Sequence, residues 1–417
     1  MRLAIYTSDL TAQNQHLMPW RAVLEIGKAA CAAGHPTRVL SGRRHPTEDR
    51  WTYGDCPVIE IPKPYSDGTA DHLQRIVRRE RFEVLFRPVA WCSARRQGKV
   101  LATAIPIVWY LPGACYFLRQ AVRAIPDVGV RSALPFVLQS VYPKRYLIKR
   151  LRRSGGSLMI TASSFSRRTV CRAGWPAADV FAIPPGKAAD RASADGDEPV
   201  VFNAVRSRLA GRPFYLFLGP PTGIRGVRQL LQAFDRLARQ RPEVCLVCLF
   251  RSDSQTDVAG LRRKVEGGSF SDRILCVWQS VGRADLEAFL EACHAVVLPF
   301  LLVPSEIPLA ILEAAGHRKP VITTAPGGTA DFVREFGLAV PAGHSQALAE
   351  AMLRLLDDKP LYAQKCGAAE RMYAAHPTWA QVARRWLAVA EKALRRGDRV
   401  QEGDALGHDA LHRYQWN

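Results

Sequence analysis

The feature that most restricts what this chain can become is the regular return of short β-branched runs with helix-length stretches between them. Residues 2–7 (RLAIYT), Thr37 to Leu40, Val58 to Ile61, Val84 to Arg87, Pro106 to Leu111 and Leu158 to Ala162 read as buried strands. Helical patterns lie between them, one from about Met18 to Ala33, ended by Gly34, and another from Asp71 to Arg81. The cycle restarts with strands at Phe214 to Gly219, Val244 to Leu249, Ile274 to Trp278, Val296 to Phe300 and Val321 to Thr324. Helices are expected between these at Val227 to Arg239, Val258 to Glu266 and Ala284 to Cys293, and beyond them at Gln346 to Leu356 and Trp379 to Leu394. Alternation of this kind gives an α/β fold with parallel sheets, whose ligands gather at the carboxyl ends of the strands. At 417 residues the chain exceeds one typical domain and suits two.

Within the second half, Pro304 to Asp331 reads PSEIPLAILEAAGHRKPVITTAPGGTAD. Pro308 is expected at the first position of a helix over Leu309 to Ala315, where its fixed angle fits and its missing N–H costs nothing. Gly316 is expected to end that helix in the left-handed conformation, before the strand Val321 to Thr324. Glu313 then stands little more than a turn inside a helix whose open N–H groups favour an anion. A phosphate at the helix start and a carboxylate receiving the two hydroxyls of a ribose together suit a nucleoside diphosphate. The same carboxylate would also serve as a cap for its own helix or as the partner of a neighbouring arginine.

The stretch resembles the donor-site signature of retaining glycosyltransferases of family 4, which have the GT-B fold. That pattern is a glutamate, seven residues, a second glutamate, small residues, a Lys-Pro-Val-Ile-like strand and a Gly-Gly turn leading to an acid. Glu313, Lys319, Pro320, Val321, Ile322, Gly327, Gly328 and Asp331 match it in order. The first glutamate falls on Ser305, with Glu306 one position late. The resemblance covers most of the chain and is strongest from Phe214 to Leu356. It implies two Rossmann-like domains facing a central cleft: an acceptor-binding domain at 1–187, a linker at 188–212 and a donor-binding domain at 213–377. A helix over 378–394 would cross back to the first domain, ahead of a tail at 395–417.

The turn PPTGIRG after Phe214 to Gly219 places Arg225 between Gly223 and Gly226, where a guanidinium forks onto two phosphate oxygens. In the family this turn carries an arginine directly after the glycine and a lysine five residues on; Pro220 replaces the first and Arg225 the second. Arg251 and Lys187 are the candidates for the missing charge. The resemblance implies Arg225 and Glu306 as catalytic, with Glu306 on the sugar, and Glu313, Ser305, Gly223, Pro308 and Leu309 as donor-binding. Trp278 ends a strand on the binding edge, where it would serve as a donor-binding contact for the nucleotide base or, as is commoner for an aromatic at a strand end, as a core residue. On the acceptor side Thr11, Ala12 and His16 occupy the loop where the family carries a Gly-Gly pair, and Pro112 stands where members often have a histidine. The implied activity is sugar transfer from a nucleoside diphosphate sugar to a glycan or lipid-linked acceptor, with retention and no metal. It points to cell-surface polysaccharide or glycolipid synthesis. The departures leave two rivals: a sugar-nucleotide epimerase on the same fold, and a non-catalytic nucleotide- or membrane-binding member.

Charge bears on partners. The formal net charge is +20, and residues 1–200 hold 30 Lys/Arg against 16 Asp/Glu. Arg119 to Arg172 contains twelve basic residues and a single acid, Asp127; Phe117 stands just before it, and Leu134, Phe136, Val137, Leu138, Val141, Tyr142, Tyr146, Leu147 and Ile148 are interleaved within it. Basic and apolar groups on adjoining helical faces suit an anionic membrane surface, and the N-terminal domain is expected to dock there. A nucleic-acid partner is not expected, because no zinc spacing, RNA-binding aromatic motif or helix-turn-helix pattern accompanies the charge. Asp195 and Asp197 form an Asp-x-Asp without a strand before it, so no metal site is expected there. Ten scattered cysteines read as reduced core thiols, Cys245 and Cys248 inside a strand. The start reaches Asp9 before a signal-peptide core forms, and no apolar run has the ~20 residues of a spanning helix. The expectation is a cytoplasmic protein, peripheral on the inner membrane face.

Overall fold

The structure, a computed structural model, describes residues 1–46, 50–63, 67–89, 105–114, 117–153, 156–188, 198–251, 258–303, 305–324 and 327–411. Two compact units divide the chain. One takes Met1–Gly113, Tyr142–Lys187 and Pro377–Asn417; the other takes Ala114–Val141 and Ala188–His376.

The first unit opens with β1 (Leu3–Ser8), α1 (Trp20–Ala32), β2 (Thr37–Arg43), β3 (Arg50–Tyr53), β4 (Cys56–Pro62), α2 (Asp67–Arg79), β5 (Val84–Pro88) and β6 (Ile107–Leu111). The chain next forms α3 (Leu118–Val128) and α4 (Val130–Val141), which belong to the other unit. It returns with α5 (Lys144–Arg153), β7 (Gly156–Thr161), α6 (Ser164–Arg172) and β8 (Val180–Ala182). The eight strands run β3-β4-β2-β1-β5-β6-β7-β8, all parallel except β3, which pairs antiparallel with β4. That edge hairpin turns on Gly54 at φ +56° and was not expected, because RWTY is too short and too exposed to carry a strand pattern. Ser163 caps α6, its Oγ accepting from the Ser166 N–H at 3.1 Å.

The second unit is built from α7 (Val200–Leu209), β9 (Phe214–Gly219), α8 (Val227–Gln240), β10 (Cys245–Phe250), α9 (Val258–Glu266), β11 (Ile274–Val277), α10 (Arg283–Ala292) and β12 (Ala295–Leu298). It continues with α11 (Leu309–Gly316), β13 (Val321–Thr324), α12 (Thr329–Val333), β14 (Gly337–Val340), α13 (Ser345–Asp357) and α14 (Lys359–Ala375). Its six strands run β11-β10-β9-β12-β13-β14, all parallel. One core packs α7, α10, α11 and α14 on one face through Phe202, Phe289, Ile311 and Ala369. The other packs α8 and α13 on the opposite face through Leu230, Phe234, Leu348 and Met352. Cys245 and Cys248 divide between these two cores, three positions apart on β10, and both thiols are pushed up by burial.

The closing α15 (Trp379–Leu411) packs on α1 and across β5 to β7 of the first unit. Trp386 brings its ring 4.8 Å from Phe86 and 5.3 Å from Tyr110, while Asp179 receives Arg396 at 2.7 Å.

Three expectations change in the details. The segment expected as linker holds α7, whose Phe202, Val205 and Leu209 are buried at helical spacing. Pro308 is not the first helical residue: it caps α11 with an extended ψ of 137°. Gly316 does not adopt the left-handed conformation either. It is the last helical residue, and Arg318 turns the chain at φ +60°. A side chain at Gly316 would meet the Tyr373 ring at 3.1 Å, so close helix packing, not turn geometry, selects glycine there. Among the described residues no helix is long and apolar enough to cross a membrane.

Candidate functional site

The strand order of the second unit reverses between β9 and β12. From β9 the chain builds outward to β10 and β11, then crosses to β12 and builds the other way to β13 and β14. The exits of β9 and β12 therefore lie at the switch point of the sheet, the place where open α/β sheets bind ligands.

After β9, Pro220, Pro221 and Thr222 lead into a 3-10 turn, Gly223–Arg225, and Gly226 at φ +72° starts α8. A Cβ on Gly226 would lie 1.9 Å from the Pro299 carbonyl oxygen, so only glycine lets this turn rest against the residue that leaves β12. The Ile224 carbonyl accepts the N–H groups of Leu301 and Leu302, at 2.9 and 3.2 Å. Arg225 is half-buried, its guanidinium carbon 5.1 Å from the Phe300 ring centre. The turn and the β12 exit are thus one hydrogen-bonded body. Arg251, at the end of β10, joins it by donating its backbone N–H to the Gly219 carbonyl at 3.3 Å. Lys187 lies in the first unit, where it bridges Thr378 and burial lowers its pKa.

After β12, Phe300 to Val303 are buried, and the loop continues through Ser305 and Glu306 to Pro308 and Leu309. The Ser305 hydroxyl donates to the Ile307 carbonyl at 3.4 Å. Glu306, expected on the sugar, is 0% exposed. Its Oε1 accepts the Gly328 N–H at 2.9 Å, and its carbonyl accepts the Thr329 hydroxyl at 2.7 Å. This carboxylate therefore ties the β12 exit to the turn after β13, where Gly327 has φ +63°. Thr323 and Thr324 add hydroxyl bonds to the Leu298 and Phe300 carbonyls. Glu313, on α11, is half-buried. In the first turn of α8 and just before the 3-10 turn, Gln229 Oε1 and Thr222 Oγ1 are buried with no hydrogen-bond partner among the described residues.

Trp278 packs its ring 4.9 Å from Phe250, with the Arg262 guanidinium 5.2 Å above it. It belongs to the α8-side core. In the first unit Thr11, Ala12 and His16 occupy the loop after β1. That loop holds its shape without the Gly-Gly pair. Asp9 takes φ +59°, Thr11 N–H donates to Asn14 Oδ1 at 2.8 Å, and Asn14 N–H donates back to Thr11 Oγ1 at 3.3 Å. Ala12 and His16 are exposed.

The sequence reading missed what lies behind the Arg225 turn. A Cβ on Gly223 would sit 2.6 Å from the Asp127 carbonyl oxygen, and Asp127 pairs with Arg228 of α8. Ala114, Ala124, Val128 and Phe136 pack with Ile224, Leu301 and Leu302. The signal was Asp127 itself, the one acid in a basic run. Among the described residues no three His, Cys, Asp or Glu side chains gather as a metal site; Asp195 and Asp197 lie outside the described residues.

No curated protein matches the sequence. Across 94% of this chain the fold matches sucrose-phosphate synthase from Thermosynechococcus elongatus, with TM-score 0.68, 19% identity and 98% of that chain covered. It matches Anabaena HepE in complex with UDP over 94% of this chain and 100% of that one, with TM-score 0.66 and 15% identity. It also matches α,α-trehalose 6-phosphate synthase from Burkholderia multivorans over 94% and 98%, with TM-score 0.67 and 12% identity. The two parallel-sheet α/β units have the fold of GT-B glycosyltransferases. Residues 212–358, which carry the Arg225 turn, Glu306 and Glu313, match the family model of glycosyl transferases group 1.

Proposed function

We propose that the second unit binds a nucleoside diphosphate sugar at the carboxyl ends of β9 and β12, and that the protein transfers the sugar with retention and without a metal ion. The observation that carries this reading is the single hydrogen-bonded body formed by the Arg225 turn and the β12 exit, at the switch point of the sheet. Arg225, with Arg251 beside the β9 exit, supplies fixed positive charge for the diphosphate, as does the N-terminal end of α11. Glu313 takes the ribose hydroxyls. Glu306 holds the Gly327–Gly328 turn that borders the sugar. The match of residues 212–358 to group 1 glycosyl transferases, and the likeness to a protein solved with UDP, support a nucleotide-sugar donor.

In the reaction the bond between the anomeric carbon and the departing phosphate oxygen breaks, and one to the acceptor hydroxyl oxygen forms on the same face. The hydroxyl proton passes to the departing phosphate, so no protein base is needed. The acceptor is a glycan or lipid-linked glycan of cell-surface polysaccharide or glycolipid synthesis. Calorimetric titration with a panel of nucleoside diphosphate sugars tests the donor site. Binding should weaken in Arg225→Lys, because a point charge does not reproduce the guanidinium fork. Equal affinity in Arg225→Lys and Glu313→Ala would place the nucleotide elsewhere. Free nucleotide should appear only when an acceptor is present; release without acceptor, with an epimerised sugar, would make the protein an epimerase.

A further inference from the structure

Nine large apolar side chains are exposed among the described residues, and seven belong to the α3–α4 pair and the residue that opens it. Phe117, Leu118 and Val122 are 51%, 45% and 48% exposed; Val130, Leu134, Leu138 and Val141 are 68%, 49%, 55% and 58% exposed. On α4 the last four follow a spacing of four, four and three, a single helical stripe. Leu118 and Val122 form a matching row on α3, and Arg119 and Arg123 form the row beside it. Arg131 is exposed next to Val130.

The faces of this pair are the reverse of an ordinary surface helix, whose large apolar residues turn inward. Here the inward face is built of small residues, Ala121, Ala124 and Ala133, with Val128 and Phe136 packed on Ile224, Leu301 and Leu302. Large apolar groups and arginines point out. The pair has no acid to oppose them other than Asp127, which is 9% exposed and paired with Arg228. An exposed apolar stripe of this length marks a surface with a partner. Arginines alongside the stripe, with no exposed carboxylate among them, select a partner that is apolar beneath and anionic at its surface.

We propose that the α3–α4 pair docks the second unit on anionic lipid, with the Leu134–Leu138 stripe at the boundary of headgroups and acyl chains and Arg119, Arg123 and Arg131 on the lipid phosphates. This moves the expected docking surface. The sequence had pointed to the whole run from Arg119 to Arg172 on the N-terminal domain, but Leu147, Ile148 and Leu151 of α5 are buried in the first unit. Charge and one exposed ring, Tyr146, remain on α5; the apolar stripe belongs to α3 and α4. The inference stands on this surface alone and does not depend on the donor-site reading.

Flotation of the full chain with phosphatidylcholine vesicles, with and without 30 mol% phosphatidylglycerol, tests it. Recovery should be at least ten-fold higher with the anionic vesicles and should fall as salt rises from 50 to 500 mM. Leu134→Ser with Leu138→Ser, and separately Arg119→Glu with Arg123→Glu and Arg131→Glu, should each lower recovery at least ten-fold. All five residues are exposed, so the thermal midpoint should stay at the wild-type value. Equal recovery on neutral vesicles, or no recovery at low salt, would overturn the proposal. So would a wild-type dimer that the leucine variant converts to a monomer without any change in flotation, because the stripe would then face a second copy of the chain.

Discussion

Glu306→Ala removes the acceptor that holds the Gly328 N–H at 2.9 Å, in a place where both residues are buried. Because Gly328 is buried, its amide loses this acceptor in a place shielded from solvent. A buried bond to a charged acceptor is worth about 1.5–3 kcal/mol, and the orphaned donor carries its desolvation cost within that range. One decade of equilibrium constant corresponds to about 1.4 kcal/mol. Local opening at Gly328 should therefore become roughly ten- to hundred-fold more frequent. Hydrogen exchange of the peptide spanning 327–333 reads this directly, because exchange in a folded protein follows the local opening equilibrium. Glu306→Gln keeps a carbonyl oxygen for Gly328 and should exchange within a few-fold of wild type. Unchanged exchange in the alanine variant would refute the clamp. Wild-type exchange in the glutamine variant, together with lost transfer, would instead assign the carboxylate charge a direct part at the sugar.

Three further outcomes follow from the same geometry. Gly226→Ala combines a left-handed backbone with a Cβ 1.9 Å from the Pro299 carbonyl and should cost about 2–4 kcal/mol; Gly211→Ala, at φ +77° with nothing within 4 Å, should cost only about 1, and equal thermal midpoints would refute the close approach. Glu313→Ala should weaken nucleotide binding roughly ten- to hundred-fold by calorimetry, the loss of a hydrogen bond to a charged group. Burial lowers the pKa of His294, whose Nε2–H donates to the Leu355 carbonyl at 3.1 Å while its ring stacks on Tyr362 at 4.2 Å. Its contribution is therefore complete above the unfolded value of about 6.5 and is lost as pH falls below it. The stability gap between wild type and His294→Gln should narrow from pH 7.5 to pH 5, and a constant gap would refute the assignment.

The strands of the second unit were legible because parallel strands buried on both faces read as continuous apolar runs. Phe214–Gly219 and Val321–Thr324 have the bounds expected of them. Glycines were legible as special positions but not always for the right reason. Gly226 does supply a positive φ at the turn, whereas Gly316 stays helical and makes room for Tyr373. At the β1 loop the missing Gly-Gly pair suggested a lost feature. Asp9 takes up a left-handed conformation instead, with Lys63 at 2.7 Å from its carboxylate and Asn14 donating to its carbonyl. Pattern could not show Glu306 inside the protein, because a carboxylate one residue from the expected register carries no mark of burial. Its surroundings come from Gly328, twenty-two residues on.

Residues 114–141 show most clearly why a linear reading stops where it does. Their basic, apolar composition, and their place between β6 and β7, assigned them to the first half of the chain. What assigns them to the second unit is a close approach across nearly a hundred residues: the Asp127 carbonyl stands where a side chain on Gly223 would be. Such a contact requires a glycine on one side, a backbone oxygen on the other and a charge pair to hold the register, which Asp127 and Arg228 form. None of the three is periodic, so no window along the sequence can register them together. The consequence is physical. The helices whose outer face carries the exposed leucines have an inner face against Ile224, in the turn that presents Arg225. A surface and a site that look unrelated in sequence are two sides of one packed layer.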